Sequence, residues 1–447
     1  MKRLFGTDGI RGTAGDEPLT PATVRMFGAA LAEEIAPPGR REVRVALGRD
    51  TRVSGPWLRD AVAAGLAARG ARAVDAGVVS TPGLAWIVQA GGFDAGVMIS
   101  ASHNPFGDNG LKVFGRDGAK VPDAREASVE RRILDHGIAD PGSANGALRE
   151  DHGLVEGYLR HLRSAVPTGR LAGLRLVLDC AHGSASALAP ALYRDLGAEV
   201  SCLGCEPDGR NINLDCGSLH LDRLAREVRE RGADAGIAFD GDADRALAVD
   251  SRGRVVDGDA ILWLCARHLR RAGRLPGGTV VATVMSNLWL ERRLAEEGMR
   301  LLRAPVGDKY VLERMDAEGA VLGGEQSGHV IFRELATTGD GMLTGLVLLH
   351  AVQEEPVPLA GIVDGIVPCP QILLNIRVAS KPDLAAHPSI GPLLREIEAD
   401  LGGGGRVLLR YSGTEPLARV MVEGVDEAAV RRHAERLAEA IRREIGM

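Results

Sequence analysis

Val97-Met98-Ile99-Ser100-Ala101-Ser102-His103-Asn104-Pro105 carries the reading that decides the fold, because an apolar run ends there abruptly in two hydroxyls, an imidazole and an amide. The run from Ala95 to Ile99 is short and β-compatible. The polar residues therefore fall at the carboxyl end of a strand, where open α/β sheets place their chemistry. Pro105 and Gly107 end regular structure, so Ser102 is expected on an exposed loop tip. A plain Ser/Asn turn is the bland alternative. An acyl-hydrolase reading is weaker, since the G-x-S-x-G elbow is missing.

Upstream of this strand, Phe5-Gly6-Thr7-Asp8-Gly9-Ile10-Arg11-Gly12 reads as a loop whose three glycines let the backbone approach a ligand while Arg11 projects a fixed charge. Thr20 is a fitting N-cap with Pro21 at the first helical position, and Val24, Phe27, Leu31 and Ile35 repeat at helical spacing. A strand over Val43, Val45 and Leu47, a helix from about Gly55 to Arg69, a strand near Val74 to Val79 and a helix after Thr81-Pro82 lead back to the serine strand. Such a βαβα series predicts a mostly parallel sheet.

Downstream, a Gly/Ser/Ala-rich connector near Asp140 to Gly146 precedes a second α/β unit. Its strands are expected at Leu174 to Asp179, Val200 to Leu203 and Ala233 to Phe239, the last ending in Asp240-Gly241-Asp242-Ala243-Asp244-Arg245. A third unit, starting near Gly258, offers strands at Thr279 to Val284, around Leu301, and at Ala320 to Leu322, followed by Gly323-Gly324-Glu325-Gln326-Ser327-Gly328-His329. After Pro356 to Pro370 the pattern changes to strands at Ile372 to Val378, Val407 to Arg410 and Ala418 to Val422, and a closing helix with Val430, His433, Leu437 and Ile441 on one face. The expected fold class is α/β: three consecutive mixed, mostly parallel α/β domains (1–150, 151–255, 256–366) and a C-terminal α+β domain (367–447).

Composition narrows the function classes. The 447 residues are too many for one core. A net charge of −6 supplies no field for nucleic acid or an anionic membrane, and 3% aromatics leave few stacking platforms for bases. No nucleic-acid or membrane partner is expected. The N-terminus lacks an apolar signal core and no run of about 18 apolar residues occurs, so a cytoplasmic protein is expected. Six cysteines are too sparse for a disulfide scaffold. Cys202, Cys205, Cys216 and His220 have a spacing that could hold zinc, but the last two fall in a string with another explanation.

Asp240, Asp242 and Asp244 alternate on a loop whose small intervening residues let the chain curl round a cation. An EF-hand is excluded, because Arg245 and Ser251 stand where Gly and Glu are required. Three carboxylates directly after a buried strand call for neutralisation, which points to a hard divalent ion, Mg²⁺ first. Ser412-Gly413-Thr414 offers hydroxyls and backbone N–H groups between Arg410 and Arg419, the tools of phosphate binding. Glu325 and Ser327, set between glycines, suit sugar hydroxyls; His329 alone reads more simply as a structural histidine.

Taken together, F-G-T-D-G-I-R-G from Phe5, S-A-S-H-N-P from Ser100, C-G-S-L-H from Cys216, D-G-D-A-D-R from Asp240, G-E-Q-S-G-H from Gly324 and R-Y-S-G-T-E-P from Arg410 resemble the α-D-phosphohexomutase superfamily over essentially the whole chain. Within it the resemblance is to the branch acting on glucosamine phosphates. It implies four domains around one central cleft, with Ser102 as a phosphoserine whose oxygen joins Asp240, Asp242 and Asp244 around one Mg²⁺ per subunit. It also implies interconversion of glucosamine 6-phosphate and glucosamine 1-phosphate through glucosamine 1,6-bisphosphate, both intermediate and activator, on the way to UDP-N-acetylglucosamine and peptidoglycan precursors. Arg11, Lys112 and His329 would act in catalysis, Lys112 and His329 being the candidates for acid/base work. Gly307, Asp308, Glu325, Ser327, Arg410, Ser412, Gly413, Thr414 and Arg419 would bind the phosphosugar, with His103, Asn104 and Arg245 in support. The partner is a small phosphosugar, and a homodimer is compatible with the resemblance.

Charge explains the cations: three aspartates and a phosphoserine of up to about −2 put roughly −5 in one pocket, so a divalent ion leaves about −3 for Arg11, Lys112 and Arg245. Two residues depart from the family pattern, Trp289 where a small residue is expected and Lys309 where Arg is expected. The nearest alternative is a phosphomannomutase/phosphoglucomutase, which usually carries Met at the position of Gln326. A non-catalytic sugar-phosphate-binding protein is more remote, since Ser102 and all three aspartates are present.

Overall fold

The computed structural model describes residues 4–6, 8–36, 42–135, 137–142, 148–151, 153–412 and 415–447. Gly413 and Thr414, both expected in the phosphate loop, lie outside the described residues, as do 143–147 of the connector. The chain forms four sheets, of seven, five, four and three strands. The first runs Phe5–Gly6, Gly9–Thr13, Asp108–Gly115, Ala95–Ile99, Val43–Arg49, Ala71–Val78, Arg149–Glu150.

Each of the first three sheets repeats one device. Ala95–Ile99 pairs in parallel with Val43–Arg49 on one side and antiparallel with Asp108–Gly115 on the other. Ala235–Phe239 lies likewise between parallel Arg175–Asp179 and antiparallel Ala246–Asp250. Leu322–Gly324 lies between parallel Thr279–Thr283 and antiparallel Val330–Phe332. The serine, aspartate and glutamate loops are thus the hairpin turns by which three buried strands fold back on themselves. They sit beyond the carboxyl ends of those strands, the edge at which open α/β sheets bind ligands.

One expectation is corrected here. Phe5 to Gly12 is not simply a loop: it contains a hairpin, Phe5 opposite Ile10, whose second strand pairs with Asp108–Gly115 through Ile10 and Leu111. Its three glycines masked the strand pattern. At Gly9 a Cβ would lie 2.3 Å from the Leu111 carbonyl oxygen, so glycine is required there for close approach of two backbones as well as for its φ of +77°.

The sequence also leaves unmarked the return strands Asp108–Gly115, Ala246–Asp250 and Val330–Phe332, whose antiparallel pairing makes the first two sheets evenly mixed rather than mostly parallel. The elements that were expected are set by local chemistry. Thr20 accepts from the Thr23 N–H to cap the helix Pro21–Ile35, and Leu221–Arg231 ends at Gly232 in the left-handed region. A single apolar core runs through the second and third sheets, joining Ile237 and Phe239 to Trp263, Leu290 and Leu346. The helix Gly341–Gln353 packs on both Ala246–Asp250 and the helix Gly258–Arg271. The fourth sheet, antiparallel throughout, has its own core and is backed by the helices Ile390–Leu401 and Glu427–Ile445. Polar contacts tie it to the third unit: Glu423 accepts from the Leu288 N–H at 2.7 Å, and Arg406 donates to the carbonyls of Val284 and Ser286 at 2.9 and 2.7 Å.

Candidate active site

Ser102 is only 2% exposed, which corrects the expectation of an exposed tip. The second unit covers it: Gly241 comes so close that a Cβ there would lie 2.6 Å from the Ser102 carbonyl oxygen. The loop is also held from inside. Arg52, fully buried, donates to the carbonyls of Ser102 (2.9 Å), Asn104 (2.8 Å) and Asp108 (3.0 Å) and to that of Pro105, while Asp50 holds its Nε at 2.9 Å. Asn213 donates to the Ser102 and Asn104 carbonyls at 2.9 and 3.1 Å. Ser100 Oγ accepts from the Ser102 N–H at 2.9 Å and donates to Asp50 at 2.7 Å. This over-determined frame keeps Ser102 at φ +52°, a left-handed conformation that a non-glycine residue holds only under constraint.

So posed, Ser102 Oγ donates to Asp240 Oδ2 at 2.7 Å, with His103 Nδ1 at 3.2 Å. Burial, followed by the nearby charges of Arg245 and Arg11, holds the His103 imidazole below its ordinary pKa, so it stays neutral. Asp240, Asp242 and Asp244 offer carboxylate oxygens that all lie within 4.8 Å of one another. Burial and its two neighbours push Asp240 well above the usual carboxylate range. Burial acts on Asp242 too, but Lys112 and the Thr81 hydroxyl outweigh it and hold that carboxyl below the range. Lys112 Nζ lies 2.9 Å from Asp242, 3.3 Å from Asp8 and 3.7 Å from Asp244; these carboxylates outweigh its burial and hold it as an ammonium.

A cation fits this centre. Asp242 Oδ1 and Asp244 Oδ1 are buried without a hydrogen-bond partner. Buried carboxylate oxygens are costly to leave unpaired, and an all-oxygen donor set suits a hard divalent ion.

Two charged residues that sequence reasoning missed join this centre to the third unit. Lys120 Nζ donates to Asp8 Oδ1 at 2.6 Å and to Asp308 Oδ2 at 2.5 Å. Asp8 also pairs with Arg11. Burial raises the Asp308 carboxyl, but the Lys120 ammonium outweighs it and leaves it at about 2. His329 Nε2 lies 3.8 Å from Asp308 and accepts from the Gly339 N–H at 3.2 Å, which leaves Nδ1 as the protonated nitrogen, buried without a partner. Glu325 accepts from the Gly307 N–H at 3.1 Å, and Ser327 Oγ is 3.5 Å from it. Asp8 stood inside a quoted motif and Lys120 in Gly118-Ala119-Lys120, but a lone charge beside a turn carries no signal of a partner in another unit.

The remaining predicted residues fall into a separate group. Arg410 and Arg419 face each other across the antiparallel ladder, and Arg419 Nη2 lies 3.5 Å from Glu415. Burial, and then the facing Arg419, hold the Arg410 guanidinium below its ordinary value. Lys381, also missed, donates to the Ser412 carbonyl at 2.7 Å and adds a third cation. Among the described residues no hydrogen bond or ion pair links this group to the serine centre. Of the departures, Trp289 is a core residue set edge-on to Trp263, and Lys309 pairs with Asp123 at 2.6 Å. Cys202, Cys205, Cys216 and His220 form no cluster of metal donors among the described residues, so the zinc spacing is not realised.

Four units, three of them delivering a hairpin loop and the fourth two facing arginines, define a phosphohexomutase architecture. The chain belongs to the phosphoglucomutase/phosphomannomutase family: models of its α/β/α domains I, II and III match residues 2–137, 156–253 and 257–369, and the model of its C-terminal domain matches 373–440. Within that family the chain is similar to phosphoglucosamine mutases. It is 51% identical over 445 residues to that of Solibacter usitatus, covering 100% of this chain and 99% of the relative. To that of Geobacillus kaustophilus it is 45% identical over 450 residues, covering both chains fully at 100%. A crystal structure of a phosphoglucomutase/phosphomannomutase family protein from Burkholderia thailandensis superimposes with a TM-score of 0.81 at 25% identity, covering 99% of each chain.

Proposed function

We propose that this chain interconverts glucosamine 6-phosphate and glucosamine 1-phosphate through a phosphorylated Ser102 and a glucosamine 1,6-bisphosphate intermediate. The observation that carries the chemistry is the buried Ser102 hydroxyl, 2.7 Å from Asp240 and at the rim of a carboxylate cluster with two unpartnered oxygens. The preference for glucosamine rests on identity to phosphoglucosamine mutases along the full chain.

In this reading Asp240, Asp242 and Asp244 hold one Mg²⁺ together with a phosphoserine oxygen. Bound there, the ion would polarise the phosphoryl group and offset part of the pocket's negative charge. Arg11, Lys112 and Arg245 meet the rest. The phosphoryl leaves Ser102 Oγ for O1 of glucosamine 6-phosphate: the P–Oγ bond breaks, the P–O1 bond forms, and the O1 proton is relayed to Ser102 Oγ in place of the phosphoryl, the second half-reaction running the same exchange between O6 and Oγ in reverse. After the bisphosphate turns, its 6-phosphoryl returns to Ser102. Lys112, held as an ammonium, stabilises charge on the transferring oxygens; Lys112 and His329 are the two candidates for proton transfer. Gly307, Asp308, Glu325 and Ser327 grasp the sugar, and Arg410, Ser412, Gly413, Thr414 and Arg419 hold the far phosphate, Lys381 fixing the backbone beside Ser412. His103 and Asn104 set the loop geometry.

The proposed functional units are 1–150, 151–255, 256–366 and 367–447. All proposed site residues come from one chain, so a monomer or a homodimer would serve. Among the described residues no helix is long and apolar enough to cross a membrane. The proposed reaction would run in the cytoplasm and supply UDP-N-acetylglucosamine and peptidoglycan precursor synthesis. The test is a coupled assay of glucosamine, glucose and mannose phosphates under identical conditions. The highest kcat/KM is expected for the glucosamine phosphates; a higher value for glucose or mannose phosphates would assign the chain to the other branch of the family.

A further inference from the structure

The helices Gly258–Arg271 and Gly341–Gln353 both end in a histidine-bearing turn, and those turns meet. The His268 and His350 rings lie 4.6 Å apart, and Glu354, the residue capping the second helix, sits between them: His268 Nδ1 is 2.7 Å from one carboxylate oxygen and His350 Nε2 is 3.3 Å from the other. One ligand atom from each of the three falls within 4.8 Å of the others. All belong to elements that take no direct part in the serine, aspartate or phosphate loops.

We propose that His268, His350 and Glu354 form a second metal site, for a borderline transition-metal dication such as Zn²⁺, that clamps the carboxyl ends of these two helices together. Two imidazoles and one carboxylate are a donor set that zinc accepts with a solvent molecule in the fourth position, whereas Mg²⁺ prefers oxygen alone. The surroundings favour a cation as well. Two helix carboxyl ends present the negative ends of their dipoles to the same point. Of the neighbouring arginines, Arg267 and Arg271 are engaged by Glu355 at 3.3 and 2.7 Å. Among the described residues the competing cation is Arg170, 3.6 Å from Glu354, an ion pair that the metal would displace.

The clamp has a structural purpose. Gly341, at the start of one helix, donates its N–H to the Ala243 carbonyl at 3.0 Å, and Gly258, at the start of the other, donates to the Gln326 carbonyl at 2.9 Å. Tying the far ends of the two helices therefore fixes the elements against which the aspartate and glutamate loops rest.

The experiment uses the full chain stripped of metal and resaturated with excess Mg²⁺. Zn²⁺ is titrated by calorimetry and by thermal unfolding, and Co²⁺ by absorption, since thiolate ligation at Cys202 or Cys205 would show a charge-transfer band that a histidine and carboxylate site lacks. One Zn²⁺ per chain is expected to bind and to raise Tm, and Co²⁺ to give no thiolate band. His268→Asn and His350→Ala should each weaken binding about tenfold or more and abolish the Tm gain, while leaving mutase activity in Mg²⁺ at the parent level. Zn²⁺ binding that is unchanged in the double variant, a thiolate band with Co²⁺, or no Zn²⁺ binding by the parent would each overturn the proposal. None of these outcomes bears on the mutase reading, which the phosphosugar assay tests separately.

Discussion

The proposed role of Ser102 depends on where its backbone is held, and Arg52 makes the most contacts that hold it. A guanidinium has five N–H donors in a fixed fork, and Arg52 uses them on Asp50 and on the carbonyls of the serine loop, so that the loop is wrapped around a buried charge. Ser102→Ala removes only the hydroxyl, which takes no part in that frame. It should leave Tm within a few degrees of the parent and mutase activity near background; intact-mass analysis should show a phosphoryl adduct on the parent after bisphosphate treatment and none on the variant. A parent that never carries the adduct while turning over would contradict the phosphoserine. Asp259 gives a prediction on stability. Burial, and then Asp257, push its carboxyl up to about 7. Between the unfolded value near 4 and about 7 the native state holds a proton that the unfolded chain has lost, so stability falls as pH rises through that window. Asp259→Asn, which keeps an oxygen for the Asn287 N–H now 2.7 Å from the carboxylate, should be relatively more stable at pH 8 than at pH 5. Tm of both proteins at the two pH values checks this; a difference independent of pH would show that the carboxyl titrates normally.

At the scale of elements, the same hairpin turn is used three times for three chemistries. A turn between a buried parallel strand and its antiparallel return has its backbone anchored at both ends, so it can carry polar residues without losing position. Glycines in and against these turns permit close approach: at Gly328, in the glutamate turn, a Cβ would meet the Ala246 carbonyl oxygen at 2.3 Å, and at Gly258, the first residue of the helix resting on that turn, it would meet the Glu325 carbonyl oxygen at 2.0 Å. The fourth element differs. Arg410 and Arg419 stand opposite each other on neighbouring strands, where like charges repel and a bound anion would relieve the repulsion. Hydroxyls and guanidinium groups read a phosphate without reading the ring attached to it, which is what a clamp for either end of the sugar requires. Losing one charge-assisted contact costs about 1.5 to 3 kcal/mol, so Arg419→Ala should weaken phosphosugar use by roughly 10- to 150-fold. It should also raise the dependence on added glucosamine 1,6-bisphosphate, through escape of the intermediate. Steady-state kinetics with and without bisphosphate decide it; parent-like KM and no added requirement would remove this loop from the clamp.

For the molecule as a whole, the distribution of core and charge sets which parts can move. The second and third units share one apolar core, whereas the fourth has its own and reaches the third through Glu423 and Arg406. Polar contacts of that kind can be remade at low cost, so the fourth unit is the one suited to hinge opening while the bisphosphate turns. Hydrogen exchange should show the strands Ala235–Phe239 and Thr279–Thr283 opening with similar free energies and Leu417–Gly424 with a distinct one. Three equal values would mean one cooperative unit. Charge gives the other prediction at this scale. With a phosphoserine the aspartate pocket reaches roughly −5, more than Lys112, Arg11 and Arg245 offset. Removing divalent cations should abolish activity and lower Tm, and Mg²⁺ should restore both; full activity after exhaustive chelation would refute a metal at Asp240, Asp242 and Asp244.

The amino-acid sequence by itself determined the series of units, the strands that lead into the functional loops, and the residues of the phosphoryl centre, because each rests on local signals: apolar periodicity, caps, and polar glycine-rich strings at strand ends; the antiparallel return strands Asp108–Gly115, Ala246–Asp250 and Val330–Phe332 and about half of the helices were not legible in it. It also held the facing arginines, whose spacing around Ser412 is legible along one hairpin. What only the tertiary structure decided depends on residues far apart in the chain. Ser102 is buried because Gly241 of another unit closes over it, Arg52 finds its acceptors some fifty positions away, and Lys120 matters because Asp8 and Asp308 converge on it. The hairpin within Phe5 to Gly12 belongs to the same class, since glycine erases the alternation of a strand and only the partner Asp108–Gly115 makes it one. A charge or a glycine in a sequence states what it can do; which partner it does it with is fixed by packing, and packing is where these residues acquired their roles.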